Sequence, residues 1–151
     1  MIIRGLEDDL TNPVDYLIFD RTSSGTTLVD MYTTKDTFTA TLVGVTASGD
    51  LNYKVVGNRV SIWCEASIIG TSTSTGLSFT GLPTALRPGW YRRPTCIVED
   101  NTVLASAYCQ FDPSDSTVAF AMLSSDVYST TGFTNSGSKG IPVGWTVEYE
   151  L

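Results

Sequence analysis

The chain has 151 residues, 42% of them hydrophobic and only 17% charged, and its nine basic against sixteen acidic residues leave a net charge of −7. That length suits one domain burying roughly two-thirds of the surface its unfolded chain exposes, and the negative charge repels phosphate backbones and anionic lipid, arguing against nucleic-acid and membrane partners. Histidine, the commonest acid–base group and metal ligand, is absent from the chain, which removes many enzyme mechanisms at once.

Near the start, Arg4, Glu7, Asp8 and Asp9 interrupt any apolar run that could serve as a secretory signal, and no later stretch approaches the length of a membrane span. The chain is expected to be soluble, made in the cytoplasm and not exported by that route. Residues 1–35 carry their own turn signals. Asn12-Pro13 precedes two short apolar runs, Tyr16 to Phe19 and Leu28 to Tyr32, which Thr22-Ser23-Ser24-Gly25 separates. The pattern predicts a hairpin or extended arm there, followed by one domain over 36–151.

From Thr37 onward the period is two. Phe38, Ala40 and Leu42 alternate with threonines; Leu51, Tyr53 and Val55 form a second set; Val60, Ile62, Cys64, Ala66 and Ile68 predict one long third strand. Ser48-Gly49-Asp50 and Gly57-Asn58 divide these strands. Asp100-Asn101 is a candidate two-residue turn between Ile97-Val98 and Val103-Leu104, and Asp112-Pro113-Ser114-Asp115 precedes the next strand. Gly81-Leu82-Pro83 ends a strand, because proline cannot donate to a ladder, with Leu82 plugging the core. Gly140-Ile141-Pro142 turns the chain into a last strand in which Val143, Trp145, Val147, Tyr149 and Leu151 share the inward face and Thr146, Glu148 and Glu150 the other. Helical periodicity is missing, so the fold class is all-β, a jelly-roll-like β-sandwich with a short N-terminal arm.

Three strands break the one-sided rule. Over Thr102 to Phe111 one face carries Val103, Ala105, Ala107, Cys109 and Phe111 and the other Leu104 and Tyr108; Val118 to Leu123 has no charge, and Trp63 stands on a polar face. A sheet apolar on both sides needs a second cover, most simply another copy of the chain, with a long loop or the arm as the alternative. Trp63, Leu104, Tyr108, Ala119, Ala121 and Leu123 are therefore the candidate oligomer contacts. Cys64, Cys96 and Cys109 fall in predicted strands without metal-type spacing, and an odd number cannot all pair within one chain, so they are read as free buried thiols.

Catalytic arrangements fare poorly. A serine or threonine nucleophile would need Lys35, Lys54, Lys139 or a carboxylate as its base. Ser136-Gly137-Ser138-Lys139-Gly140 has a phosphate-loop flavour but does not open a helix after a strand, and reads as a flexible turn. Asp112 with Asp115, or Glu99 with Asp100, could hydrolyse a glycan as a carboxylate pair, yet both pairs lie in predicted turns, where Asp is favoured for turn geometry. Glu7-Asp8-Asp9 and Asp112 to Asp115 lack the alternating ligand spacing of a calcium loop. No catalytic residue, metal site or cofactor is assigned, and the chain is not read as an enzyme.

Binding is better supported. Trp90-Tyr91-Arg92-Arg93, held between Pro88-Gly89 and Pro94, puts two aromatics and two guanidiniums on a constrained loop, residue types that stack on sugar rings and dominate interface hot spots. Against this stands the reading that Trp90 packs under a sheet edge while the arginines meet acids of a neighbouring subunit. Tyr128 to Asn135, with Tyr128, Phe133 and five small polar residues, has the composition of a recognition loop.

One ordered set of pieces carries a resemblance. Thr37-Phe38-Thr39-Ala40-Thr41-Leu42, Tyr53, Gly57-Asn58-Arg59-Val60, Ser78-Phe79-Thr80-Gly81-Leu82-Pro83 with Leu86-Arg87-Pro88, and Gly137 to Trp145 leading into a short final strand together resemble the C-terminal domains of bacteriophage tail-fibre and related virion fibre proteins. The resemblance spans about Thr37 to Leu151. It implies a trimeric jelly roll of the complement and tumour-necrosis-factor type, serving a virion as a receptor-binding or fibre-tip module. On that basis the expected partners are two further copies of the chain, other virion proteins reached through the arm, and a host-surface glycan or protein. A ligand-free capsid decoration protein and a glycan-depolymerising spike are the alternatives.

Overall fold

A computed structural model describes residues 33–124, 127–129 and 132–151. The arm expected over 1–35 lies outside the described residues except for its last three, which already belong to the first strand. Eleven strands follow one another: β1 (Thr33–Val43), β2 (Ser48–Val56), β3 (Arg59–Trp63), β4 (Ile68–Thr71), β5 (Ser78–Thr80), β6 (Thr95–Asp100), β7 (Val103–Phe111), β8 (Val118–Ser124), β9 (Val127–Ser129), β10 (Ser138–Ile141) and β11 (Thr146–Glu150). Among the described residues a single 3-10 turn, Thr84–Leu86, precedes β6. Among the described residues there is no α-helix, as the missing 3.6-residue period predicts.

All strand pairs are antiparallel, and their order is β11-β3-β2-β1-β5-β8-β7-β6-β10-β4, with β9 flanking β8. The two ends of this path are joined. β4 continues β3 and β10 leads into β11, and the two bent chains face each other throughout: Arg59 opposes Glu150 and Trp63 opposes Thr146, while beyond the bend Ile68 opposes Ile141 and Thr71 opposes Ser138. The register carries through the bend without slipping. Cys64 N–H donates to the Trp145 carbonyl and Gly144 N–H to the Cys64 carbonyl, both at 2.9 Å, which bridges the gap between the two ladders. The result is an all-β fold, a sheet curled around one core in the manner of a sandwich whose corner strands pass from one face to the other.

The single third strand expected over Val60 to Ile68 is thus two strands. Glu65, Ala66 and Ser67 form an exposed bend, held by the Cys64 thiol on the Ala66 carbonyl at 2.7 Å and by Ser67 Oγ accepting from Val143 N–H at 3.0 Å. The same corner corrects the last strand: Val143 lies in the turn before β11 and is exposed, whereas Trp145, Val147 and Tyr149 are buried and Leu151 is half-buried. The hairpin turn between β6 and β7 is Asn101-Thr102, one residue later than expected, with φ of 52° and 66°. Asp100 is instead the last residue of β6, opposite Val103, and its carboxylate accepts hydrogen bonds from Thr134.

At the centre of the core Phe79, Phe120 and Trp145 meet with ring centroids 6.0–6.5 Å apart, two of the three contacts edge-on. Such pairs add about 0.5–1.5 kcal/mol each beyond area burial. Leu82 fills the position expected of it, fully enclosed, with its N–H on the Ser116 carbonyl. Gly81 makes that approach possible: its φ is +102°, and a Cβ there would stand 2.5 Å from the Thr39 carbonyl oxygen.

Candidate functional site

The chain leaves the 3-10 turn at Leu86, a core residue, and re-enters the sheet through Arg92, which exchanges two backbone hydrogen bonds with Phe111 at 2.9 and 3.2 Å. Both ends of the intervening loop are therefore fixed. Arg92 Nε donates to the Glu150 carbonyl at 3.0 Å, with its guanidinium 3.8 Å from the Glu150 carboxylate. Arg93 Nε donates to Gln110 Oε1 at 3.1 Å. Both arginines thus engage acceptors of their own chain.

Between these anchors Trp90 is 77% exposed and Tyr91 57% exposed, so Trp90 does not pack under a sheet edge. Burying an aromatic of this kind is worth about 1.5–3 kcal/mol, which the isolated chain forgoes here. The Asp112 carboxylate beside the Tyr91 phenol is the main reason that the phenol's ionisation is pushed up. Asp112 also accepts from Ser114 Oγ at 2.7 Å and Ser114 N–H at 2.8 Å, which with Tyr91 holds its carboxyl below the usual carboxylate range. Asp112, Gln110 and Glu150 reach the loop from distant parts of the chain, and of the three only the turn chemistry of Asp112 is visible in the sequence. Beside the loop lies a cleft of about 240 Å³ lined by Arg92, Arg93, Pro94, Glu148, Tyr149 and Glu150, below the several hundred Å³ typical of small-molecule pockets. The arrangement is a protruding platform rather than a cavity.

The second candidate loop is drawn inward instead. Phe133 is buried, under the Lys139 ammonium at 5.5 Å from the ring centroid, so it is no surface contact. Thr134 is tied to Asp100 through its N–H and hydroxyl. Tyr128 belongs to β9, opposite Leu123; its side chain lies outside the described residues. Lys139 sits in β10 rather than in a flexible turn, and its fully buried ammonium donates to the Ser74 and Gly76 carbonyls. It is a stitch between segments, closed to phosphate.

The candidate oligomer contacts divide. On the outer face of β6, β7 and β8 the register places Tyr108 beside Ala121 and Gln110 beside Ala119, with Ser106 next to Ile97. Leu104 and Leu123 are exposed, as is Ile97, which the sequence analysis had not included. Tyr108 and Ala119 are half-buried and Ala121 is already covered within the chain. Trp63 stands apart on β3 with its indole N–H on Glu65 at 3.0 Å.

The carboxylates weighed for hydrolysis are engaged locally. Asp115 accepts from Thr117 N–H, Glu99 from Ser138 Oγ and Asp100 from Thr134, while Asp112 is occupied as described. All three cysteines are free and buried, as expected.

The sequence matches no family model and no curated protein. Among solved structures it is similar to the C-terminal receptor-binding domain of the avian reovirus fibre protein sigmaC, at 14% identity and a TM-score of 0.52 over 99% of each chain. At that identity the likeness establishes a shared all-β fold.

Proposed function

We propose that this chain is the head of a bacteriophage virion fibre, assembled as a homotrimer, that attaches the particle to the host surface through the Trp90-Tyr91-Arg92-Arg93 loop. The observation that carries the reading is an exposed Trp-Tyr pair on a loop fixed at both ends, since a platform held in place loses little entropy on binding a sugar ring or protein pocket. The receptor-binding role of the structurally similar reovirus domain supports it. In the trimer the outer face of β6 to β8 meets its copies through Ile97, Leu104, Tyr108 and Leu123, and residues 1–35 join the head to the rest of the virion. The test is binding of labelled protein to host cells and to their purified surface polysaccharides. Trp90→Ala should abolish binding while leaving the melting temperature unchanged; undiminished binding would overturn the assignment of the loop. A protein that instead bound intact capsids and ignored host cells would be a decoration protein.

A further inference from the structure

Cys96 of β6 and Cys109 of β7 share the inward face of the sheet. Cys96 opposes Ala107, so Cys109 is its diagonal neighbour, and Cys109 N–H is fixed on the Pro94 carbonyl at 2.9 Å. Diagonal residues on adjacent strands stand about 7–8 Å apart, yet the two side chains turn toward each other until their sulfurs are 3.0 Å apart. A disulfide bond is about 2.05 Å long and cysteines more than about 7 Å apart at Cα are bridged only with some backbone movement, so closing the remaining gap of about 1 Å takes side-chain rotation together with a small shift of β6 against β7. We propose that Cys96 and Cys109 form an oxidation site, which hydrogen peroxide converts to a cross-strand disulfide within the folded domain.

The roles of the two sulfurs differ. Cys96 is 7% exposed and Cys109 wholly enclosed, so the small oxidant reaches Cys96. The Cys96 sulfur attacks peroxide, the O–O bond breaks, and a sulfenic acid and one water result. Cys109 sulfur then attacks Cys96 sulfur: the S–S bond forms, the S–O bond breaks, and the departing hydroxide takes the Cys109 proton as a second water. Two thiols lose two electrons and peroxide gains them. The surroundings favour this order. The Cys109 S–H donates to Cys96, which lowers the Cys96 ionisation, whereas burial holds Cys109 well above its ordinary range. The buried Trp145 indole N–H points its positive end toward Cys96 and adds a smaller lowering there. Cys64 provides an internal control, since its thiol donates to the Ala66 carbonyl and burial pushes its ionisation up.

The experiment treats the folded chain with a slight excess of hydrogen peroxide. The intact mass should fall by about 2 Da, the two hydrogens lost on disulfide formation. Cleavage after Glu99 under non-reducing conditions should leave the Cys96 and Cys109 fragments joined, with Cys64 still open to alkylation after unfolding. Cys109→Ser should halt at a sulfenic acid on Cys96 that dimedone traps, and the oxidised wild type should melt several degrees higher. Equal alkylation of all three cysteines after treatment, oxidation of Cys64 ahead of Cys96, or disulfides formed only between chains would each overturn the proposal. The wild-type mass and fragment map decide it even if the serine variant does not fold.

Discussion

The Tyr149 hydroxyl donates a 2.6 Å hydrogen bond to the Leu86 carbonyl, joining the last strand to the turn from which the aromatic loop departs. The Tyr149 ring lies against Phe111 with centroids 4.3 Å apart, so one side chain braces both ends of that loop. Tyr149→Phe keeps the packing and orphans a buried carbonyl, a loss of about 1–3 kcal/mol, readable as a lowered denaturant midpoint.

The same phenol fixes a response to alkali. Burial pushes its ionisation above the ordinary value of 10.0, so the folded state favours the neutral form. Its contribution is complete below pH 10.0 and is lost as pH climbs from there toward the folded value. Melting temperature should fall above that point, less steeply for Tyr149→Phe than for the wild type. Identical slopes would show that Tyr149 does not set the alkaline limit.

The β6–β7 turn stores strain that can be relieved. Thr102, a β-branched residue, sits at φ 66° after Asn101 at φ 52°, where an Asn-Gly pair is the preferred solution. Thr102→Gly should stabilise the domain by about 1 kcal/mol, seen in equilibrium urea unfolding. A destabilised variant would mean that the Thr102 hydroxyl, bonded to the Asn101 carbonyl, outweighs the backbone strain.

Lys139 should matter for folding alone. Lys139→Met removes the donor shared by the Ser74 and Gly76 carbonyls, and an orphaned buried acceptor costs about 1–3 kcal/mol. Chemical denaturation should reveal that loss, while cell binding by the surviving folded fraction stays intact.

The proposed trimer interface can be tested without harming the core, because Leu104 is 63% exposed in the single chain. Leu104→Asp together with Leu123→Asp should give a folded monomer by light scattering where the wild type is expected to give a trimer. A variant that kept the wild-type mass would remove this face from the assembly.

The strands were legible because their inward residues alternate strictly, as in Val60 and Ile62 or Val147 and Tyr149. The bend at residues 64–67 was not, since Cys64, Ala66 and Ile68 continue the same period while Ala66 faces solvent; a chain crossing a corner keeps its register and its pattern alike. Val143 misled for the same reason. The exposure of Trp90 was one of two readings the sequence left open, the other being a Trp90 packed under a sheet edge, and the supports Gln110 and Asp112 come from distant segments whose approach no local pattern encodes. Lys139 and Phe133 show the reverse failure, in which polar, glycine-rich surroundings suggested surface and the fold supplied carbonyls and a covering cation.

The bent ladder that joins the ends of the sheet also sets the order of events in folding. Arg59 and Glu150 are 91 positions apart (150 − 59), and the entropy of closing so long a loop is recovered only after the intervening strands have collapsed. Ring closure is therefore the final act. Until it happens, β3 and β4 present an unpaired edge of the kind that recruits strands from other chains. Residues 138–150 of a neighbouring copy fit that edge as well as the chain's own, so crowded refolding favours exchange of this bent C-terminal segment between copies and dilution restores closure within one.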